Sequence, residues 1–246
     1  MHARPVGRRK AVAFAAATAV FLVAWNNVVV TRLPGYPDSY VPGNVAATAL
    51  LLTVARAEGI TWRELGFDPR RLGEGLRWGG LSTAVVAAGY TIGLTVPALR
   101  PLLEDARVAG ADGSEIAYRV LIRIPLGTVL WEETAFRGVL LAALVRVLSP
   151  HTAIGTSAAV FGLWHIRPTL SAAAANDLAH GLPGAHRGRA VGMCGDAAAG
   201  VLFTCLRIRS GSLLAPVLVH AATNCLGTLA ATAAHHLGRA HRARPE

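Results

Sequence analysis

The chain has 246 residues and a formal net charge of +10; 53% of its residues are hydrophobic and only 15% are charged, where an ordinary soluble domain carries roughly 25%. So little polar surface cannot cover a water-soluble globule, and the apolar residues fall in long blocks between charged loops, not in amphipathic stripes. The positive charge does not indicate a nucleic-acid partner: the arginines sit at the ends of apolar blocks, as lipid headgroups or a cytoplasmic face would place them, with no aromatic-basic interleaving and no zinc-finger spacing.

In chain order, Arg8, Arg9 and Lys10 precede an apolar run from Ala11 to Val30 that is long enough to cross a bilayer. No small-residue cleavage site follows, which predicts a retained first helix over 11–31. The stretch LPGYPDSYVPGN predicts a loop. A short second span is expected over about 41–55, where Pro42 suits a helix start. Residues 56–77 carry Arg56, Arg63, Arg70, Arg71 and Arg77; the positive-inside rule puts this loop and the N-terminus on the cytoplasmic side, with two crossings between them. A third span is expected at 78–98 and a polar outer loop at 99–114.

Residues 115–148 would form a helix of about 50 Å if continuous, longer than a bilayer needs. Pro125 predicts a break or kink there, with 119–131 lying partly in the interface, where Arg119 and Arg123 belong. A span at 152–166, an outer loop at 167–190 containing Asp177, His180 and His186, and spans at 191–207 and 212–232 complete the chain before a basic tail. Cys194, Cys205 and Cys225 lie in apolar segments without a CxxC pair and read as packing residues. Seven spans would leave the two basic ends on opposite sides, so either an eighth crossing lies around 115–131 or within 167–190, or the basic tail departs from the positive-inside rule. The expected fold is all-α: one integral membrane domain over 1–246, a polytopic transmembrane helical bundle of about 7–8 spans.

Charge inside a span costs about 2.5–3.5 kcal/mol per residue on insertion scales and usually marks function. The densest cluster is Trp131-Glu132-Glu133-Thr134-Ala135-Phe136-Arg137-Gly138. Glu133 and Arg137 are four residues apart and can pair; Glu132, rotated about 100° from Glu133, is left free for chemistry. Phe161-Gly162-Leu163-Trp164-His165 ends the next span, and His220-Ala221-Ala222-Thr223-Asn224 lies in the last, with His220 and Asn224 on one face. Each has a plainer reading when taken alone: a salt bridge fixing two helices, an interfacial histidine, interhelical hydrogen-bond glue. Together they place ionisable and amide groups of three helices in the apolar phase. A Glu and a His can activate water there, and a His and an Asn can donate to the oxyanion of a tetrahedral intermediate.

These motifs, Glu-Glu-x-x-x-Arg at 132–137, Phe-x-x-x-His at 161–165 and His-x-x-x-Asn at 220–224, resemble those of the CAAX protease and bacteriocin-processing (CPBP) family. That family includes the Ras-converting CAAX endopeptidase and proteins called abortive infection proteins. The stretch LRIRSGSLLAPVLVHAATN is also similar to the family's approach to its last motif, and the resemblance covers about 118–228. It implies an intramembrane endopeptidase acting on membrane-associated substrates, of the CAAX type or with leader peptides, with Glu132 as general base, His165 helping to activate the water, and His220 and Asn224 as the oxyanion hole. Glu133, Arg137 and Phe161 would support the site. Expected partners are membrane lipid and a hydrophobic or lipidated peptide, with no nucleic acid. The expected location is a bacterial-type cell membrane.

The family has also been described as metalloproteases, which would make Glu132, His165 and His220 zinc ligands. A metal-free mechanism is favoured because the chain lacks His-Glu-x-x-His and Asn224 is a poor zinc ligand. A non-catalytic immunity or maturation protein on the same scaffold is the alternative from another class. A proton-coupled transporter is disfavoured by the lack of an inverted repeat.

Overall fold

The computed structural model describes residues 7–180 and 185–242, with side chains for 7–176 and 195–238. Among these residues all the regular structure is helical, without strands. Helix α1 (Arg8–Ala24) runs on through a π turn (Trp25–Val29) and a 3-10 turn (Val30–Arg32), so the first span is longer than expected. Helix α2 (Tyr40–Ala57) takes in part of the stretch expected to be a loop. Pro42 falls in its first turn, where a missing N–H has no intrahelical partner to lose.

Helix α3 (Trp62–Leu65) is one turn defined at both ends. Thr61 and Glu64 form a capping box, and Gly66 follows at φ 92°, a left-handed stop that suits glycine. Helix α4 (Leu72–Thr95) starts earlier than the span expected at 78–98. It is followed by a 3-10 segment (Pro97–Leu103) bent from it by 118°, then by a second 3-10 turn (Ala106–Val108).

The stretch around Pro125 is not broken. It is helical from α5 (Gly113–Tyr118) through a π segment (Arg119–Leu130), α6 (Trp131–Glu133), a second π segment (Thr134–Leu140) and α7 (Leu141–Val145). Proline lacks the N–H that an α-turn needs, and the wider π register carries the helix through it without a break. Helix α8 (Pro150–Trp164) starts at an N-cap, where the Ser149 hydroxyl accepts from the Thr152 N–H.

Of the outer loop expected at 167–190, the described residues 167–180 and 185–190 are helical. Helix α9 (Ile166–His180) follows His165 directly, and α10 (Ala185–Ser210) begins well before 191. Pro168 is tolerated because it sits in the first turn of α9. The side chains of Asp177, His180 and His186 lie outside the described residues. Helix α11 (Leu214–Arg242) closes the chain.

Helices α4 and α11 approach closely. Gly75 and Gly79, four residues apart on α4, face Ser212, Leu214, Ala215 and Leu218, and a Cβ at Gly79 would come within 3.0 Å of the Ala215 Cα. This is the small-residue spacing by which helices pack in lipid. The main core is aromatic: the Trp131 ring meets Phe21, Trp25 and Trp164 at centroid distances of 6.4, 5.9 and 5.9 Å. Val20, Leu50, Leu81, Val85 and Leu121 point outward, whereas Glu132, Glu133, Arg137 and His220 are buried. Apolar outside and ionisable inside is the arrangement of a protein whose solvent is lipid.

By length and composition, two helical stretches among the described residues can cross a membrane, Arg8–Arg32 and Leu214–Gly238; the bent pair from Trp62 to Leu103 would make a third. The count of seven to eight is therefore not reached on those grounds. Helix α8, at about 22 Å, is short for a bilayer, and the stretch from Gly113 to Val145 carries too many charges.

The 58–65 loop is tied to the end of α7. Arg146 donates to Glu64 Oε1 at 2.7 and 3.1 Å and to the Gly59 carbonyl at 2.9 Å. Partial burial opposes ionisation of Glu64, but bonds from the Thr61 hydroxyl and N–H and from Arg146 outweigh it and hold the carboxyl below its ordinary value of 4.5. A depressed carboxylate stabilises the fold above its unfolded-state value, and the gain is lost as pH falls through the lower folded-state value. Melting curves in detergent should show destabilisation beginning below about pH 4.5. Glu64→Gln should flatten part of that acid limb, and an unchanged limb would mean that Glu64 is not among its causes.

Candidate active site

Three helical regions meet where the apolar core is interrupted. Glu132 and Glu133 come from α6, at a one-turn return to α geometry between two π segments. Being adjacent, they diverge. Glu133 faces inward, fully buried: Arg137 Nη1 donates to its Oε1 at 3.1 Å, and His220 Nδ1 lies 2.7 Å from the same oxygen. The Arg137 guanidinium is caged by the rings of Phe161, Phe203 and Phe136 at 4.1, 5.1 and 5.8 Å. Its Nη2 reaches the Gly200 carbonyl at 3.4 Å. The ring of His220 stacks on Phe203. Glu133, Arg137 and His220 thus form a buried, charge-compensated knot joining the motif helix to α10 and α11.

Glu132 faces the other way, into a cavity of about 950 Å³. Its Oε1 accepts from Trp164 Nε1 at 3.2 Å, and its Oε2, itself buried, has no hydrogen-bond partner among the described residues. Opposite stands His165, with Nε2 at 3.7 Å from that free oxygen. His165 Nδ1 is 2.9 Å from the Phe161 carbonyl, and the His165 ring lies 4.4 Å from that of Phe161. A carbonyl can only accept, so this bond selects the tautomer with hydrogen on Nδ1 and a lone pair on Nε2. The 3.7 Å gap is too wide for a direct hydrogen bond and suits a bridging water.

Asn224 lines the same cavity from α11, and among the described residues its carboxamide has no hydrogen-bond partner. Of the residues singled out in the sequence, Glu132, His165 and Asn224 therefore share one cavity. Glu133, Arg137, Phe161 and His220 pack beside it and do not line its wall. His220 and Asn224 share a face of α11 as expected, but the Nδ1 of His220 is committed to Glu133. Among the described residues no three His, Cys, Asp or Glu side chains come together as a metal-binding group. Glu132 and His165 face each other while His220 is turned to Glu133, so the candidate zinc ligands do not converge and the donor set does not fit a zinc ion.

Much of the cavity wall comes from outside the motif region. Asn26 lines it, and its Nδ2 donates to the Trp164 carbonyl at 3.0 Å. Tyr40 bonds to Thr128, and the Tyr90 hydroxyl donates to the Thr223 carbonyl. Deeper in, Asn44 donates to the Gly127 carbonyl at 2.8 Å and accepts from Trp25 Nε1 at 2.8 Å. The strap after α4 roofs the space. Its Ala106 N–H donates to Asn176, and its Asp105 carbonyl lies 2.9 Å from His235 Nε2. The signal for Asn26 and Asn44 was in the sequence, because amides inside apolar spans need partners as much as charges do.

Residues 115–226 match the family model described as type II CAAX prenyl endopeptidase, Rce1-like. No curated protein and no solved structure matches the chain.

Proposed function

We propose that the chain hydrolyses peptide bonds of membrane-associated substrates with a water activated by Glu132 and His165, a reading supported by the match of residues 115–226 to the Rce1-like CAAX prenyl endopeptidase family and by the candidate membrane spans. The observation that carries this is the 3.7 Å gap between the free Oε2 of Glu132 and Nε2 of His165 on the wall of a peptide-sized cavity. Both atoms are acceptors, so a water between them donates both hydrogens inward and turns a lone pair towards a substrate carbonyl. Glu132 takes the proton as the water oxygen adds to the carbonyl carbon, and returns it to the leaving amine.

Asn224, whose side-chain amide has no partner among the described residues, donates to the oxyanion. His220 can assist through Nε2 only if that nitrogen carries hydrogen. With Nδ1 donating to Glu133, this requires the imidazolium, for which Glu133 is the counter-ion. Glu133 and Arg137 then position His220 and the motif helix. The mechanism uses no metal. It is tested by treating purified protein with a strong chelator and assaying cleavage of a hydrophobic or prenylated peptide library: turnover should be unchanged, and loss on chelation with restoration by zinc would replace the mechanism with a metal-dependent one. Asn224→Ala should lower kcat by about 10²–10³ with little change in KM, the cost of one oxyanion donor. A change confined to KM would make Asn224 a ground-state binding residue.

In this reading α1, α2, α4, the stretch 113–145, α8, α10 and α11 each cross the membrane. Helix α11 runs parallel to α4, with Gly79 against Ala215 and Tyr90 bonded to Thr223, so it ends on the side where α4 ends, opposite the 56–77 loop and the N-terminus. Labelling of single cysteines placed at residues 3 and 244 from opposite sides would support this topology, and labelling of both from one side only would refute it.

A further inference from the structure

Away from the cavity, on the side of the 56–77 loop, two exposed arginines share one indole. The Arg77 guanidinium lies 5.9 Å and the Arg209 guanidinium 4.9 Å from the centre of the Trp78 ring. Arg77 comes from the start of α4 and Arg209 from the end of α10, so the fold assembles the pair. Among the described residues Arg209 meets no carboxylate and no hydrogen-bond acceptor, and Arg77 has only an exposed contact to Glu74 at 3.9 Å, which contributes little in water. The Arg71 side chain lies against the turn at Gly211 and, among the described residues, also has no acid partner. Like charges are thus held close together on an aromatic platform with their donors free.

The surface that continues from them is apolar. Arg77, Leu81 and Val85 follow at four-residue steps along one stripe of α4, and Leu202 precedes Arg209 by seven residues on one stripe of α10. Leu81, Val85 and Leu202 are each more than half exposed. Behind these stripes the two helices pack together through Trp78, Val86, Phe203 and Leu206. A cationic head above two apolar stripes, at the level where a tryptophan marks the bilayer interface, is complementary to a phosphate joined to acyl chains. We propose that the seam between α4 and α10 binds one anionic phospholipid, with the headgroup phosphate on Arg77 and Arg209 and the chains along Leu81, Val85 and Leu202. Arg71 adds to the positive potential, which selects a headgroup of net negative charge over a zwitterionic one. The site is separate from the peptidase cavity and does not depend on its chemistry.

The experiment uses full-length protein in detergent, titrated with dioleoyl phosphatidylglycerol or dioleoyl phosphatidylcholine and followed by native mass spectrometry. Wild type should bind one phosphatidylglycerol in preference to phosphatidylcholine. Arg77→Gln/Arg209→Gln should weaken that binding about 30-fold, roughly fivefold for each arginine lost, and Arg77→Lys/Arg209→Lys should keep most of it. Arg63→Gln/Arg70→Gln removes the same charge from the same face outside the seam and should leave binding unchanged. All four arginines are exposed, so melting temperatures without lipid should match wild type. Leu202→Glu, which keeps both arginines and puts a carboxylate in the chain track, should also weaken binding. Equal binding of the two lipids, or equal loss in the two double glutamine variants, would mean diffuse attraction and overturn the site. Glycerol 3-phosphate competing as well as the lipid would make this a soluble-phosphate site and overturn the lipid assignment.

Discussion

Glu132→Gln is expected to lower peptide hydrolysis by about 10²–10⁴-fold, the usual contribution of a general base, with almost no effect on folding. The amide has the size of the carboxylate and can still accept from Trp164 Nε1, the one hydrogen bond that holds Glu132. It cannot take a proton from water. The other oxygen of Glu132 is buried and has no hydrogen-bond partner among the described residues, so the substitution breaks no buried pair. Glu132→Ala should be equally inactive. Initial rates on a hydrophobic peptide, with melting curves of the same preparations, check both halves of the expectation. Turnover equal to wild type in Glu132→Gln would remove this residue from the chemistry. A large drop in melting temperature would mean that Glu132 is structural.

The opposite pattern is expected one turn away. Arg137→Ala should destabilise the protein by about 3–5 kcal/mol, because truncating one member of a buried ion pair leaves the other uncompensated. For a chain of this size that is a fall in melting temperature of roughly 6–20 °C. Arg137 and Glu133 are fully buried at 3.1 Å, and the guanidinium also fills the space between three phenylalanine rings. The variant therefore loses packing as well as charge. The double variant Glu133→Gln/Arg137→Met should be less destabilised than Arg137→Ala alone, since it removes both charges and keeps the volume. A double variant as unstable as the single one would show that packing, and not charge compensation, is what Arg137 provides.

These two expectations differ because Glu132 and Glu133, chemically identical neighbours, face opposite ways. The sequence contains the reason for a pair in the four-residue spacing of Glu133 and Arg137, and leaves Glu132 as the free carboxylate by helix geometry. It does not contain the commitment of His220 to Glu133. That contact joins residues 87 apart in the chain and takes His220 off the cavity wall, where spacing alone would have grouped it with Asn224. The tautomer of His165 is similarly a tertiary fact, because it depends on where the helix end leaves the Phe161 carbonyl.

The helices were legible to different degrees. Long apolar runs such as 11–31 and 212–232 show in composition because lipid requires an unbroken apolar surface. The helical stretch 166–180 was hidden: it is short, contains Pro168, Asn176 and Asp177 and packs against neighbouring helices, so its own residues carry no span signal. The π geometry around Pro125 was also beyond reach, since a proline in an apolar run permits a break, a kink or a widened turn, and only the neighbours choose among them.

Local chemistry alone determined that this chain is helical, lipid-facing and equipped with buried carboxylates, imidazoles and amides, since the cost of a polar group in lipid can be read one residue at a time. Tertiary structure alone decided which of those groups are partnered and which are exposed to a substrate. Partners such as Asn26, Tyr40 and Tyr90 come from helices distant in sequence, and no local energy term relates them to Glu132 until the bundle closes.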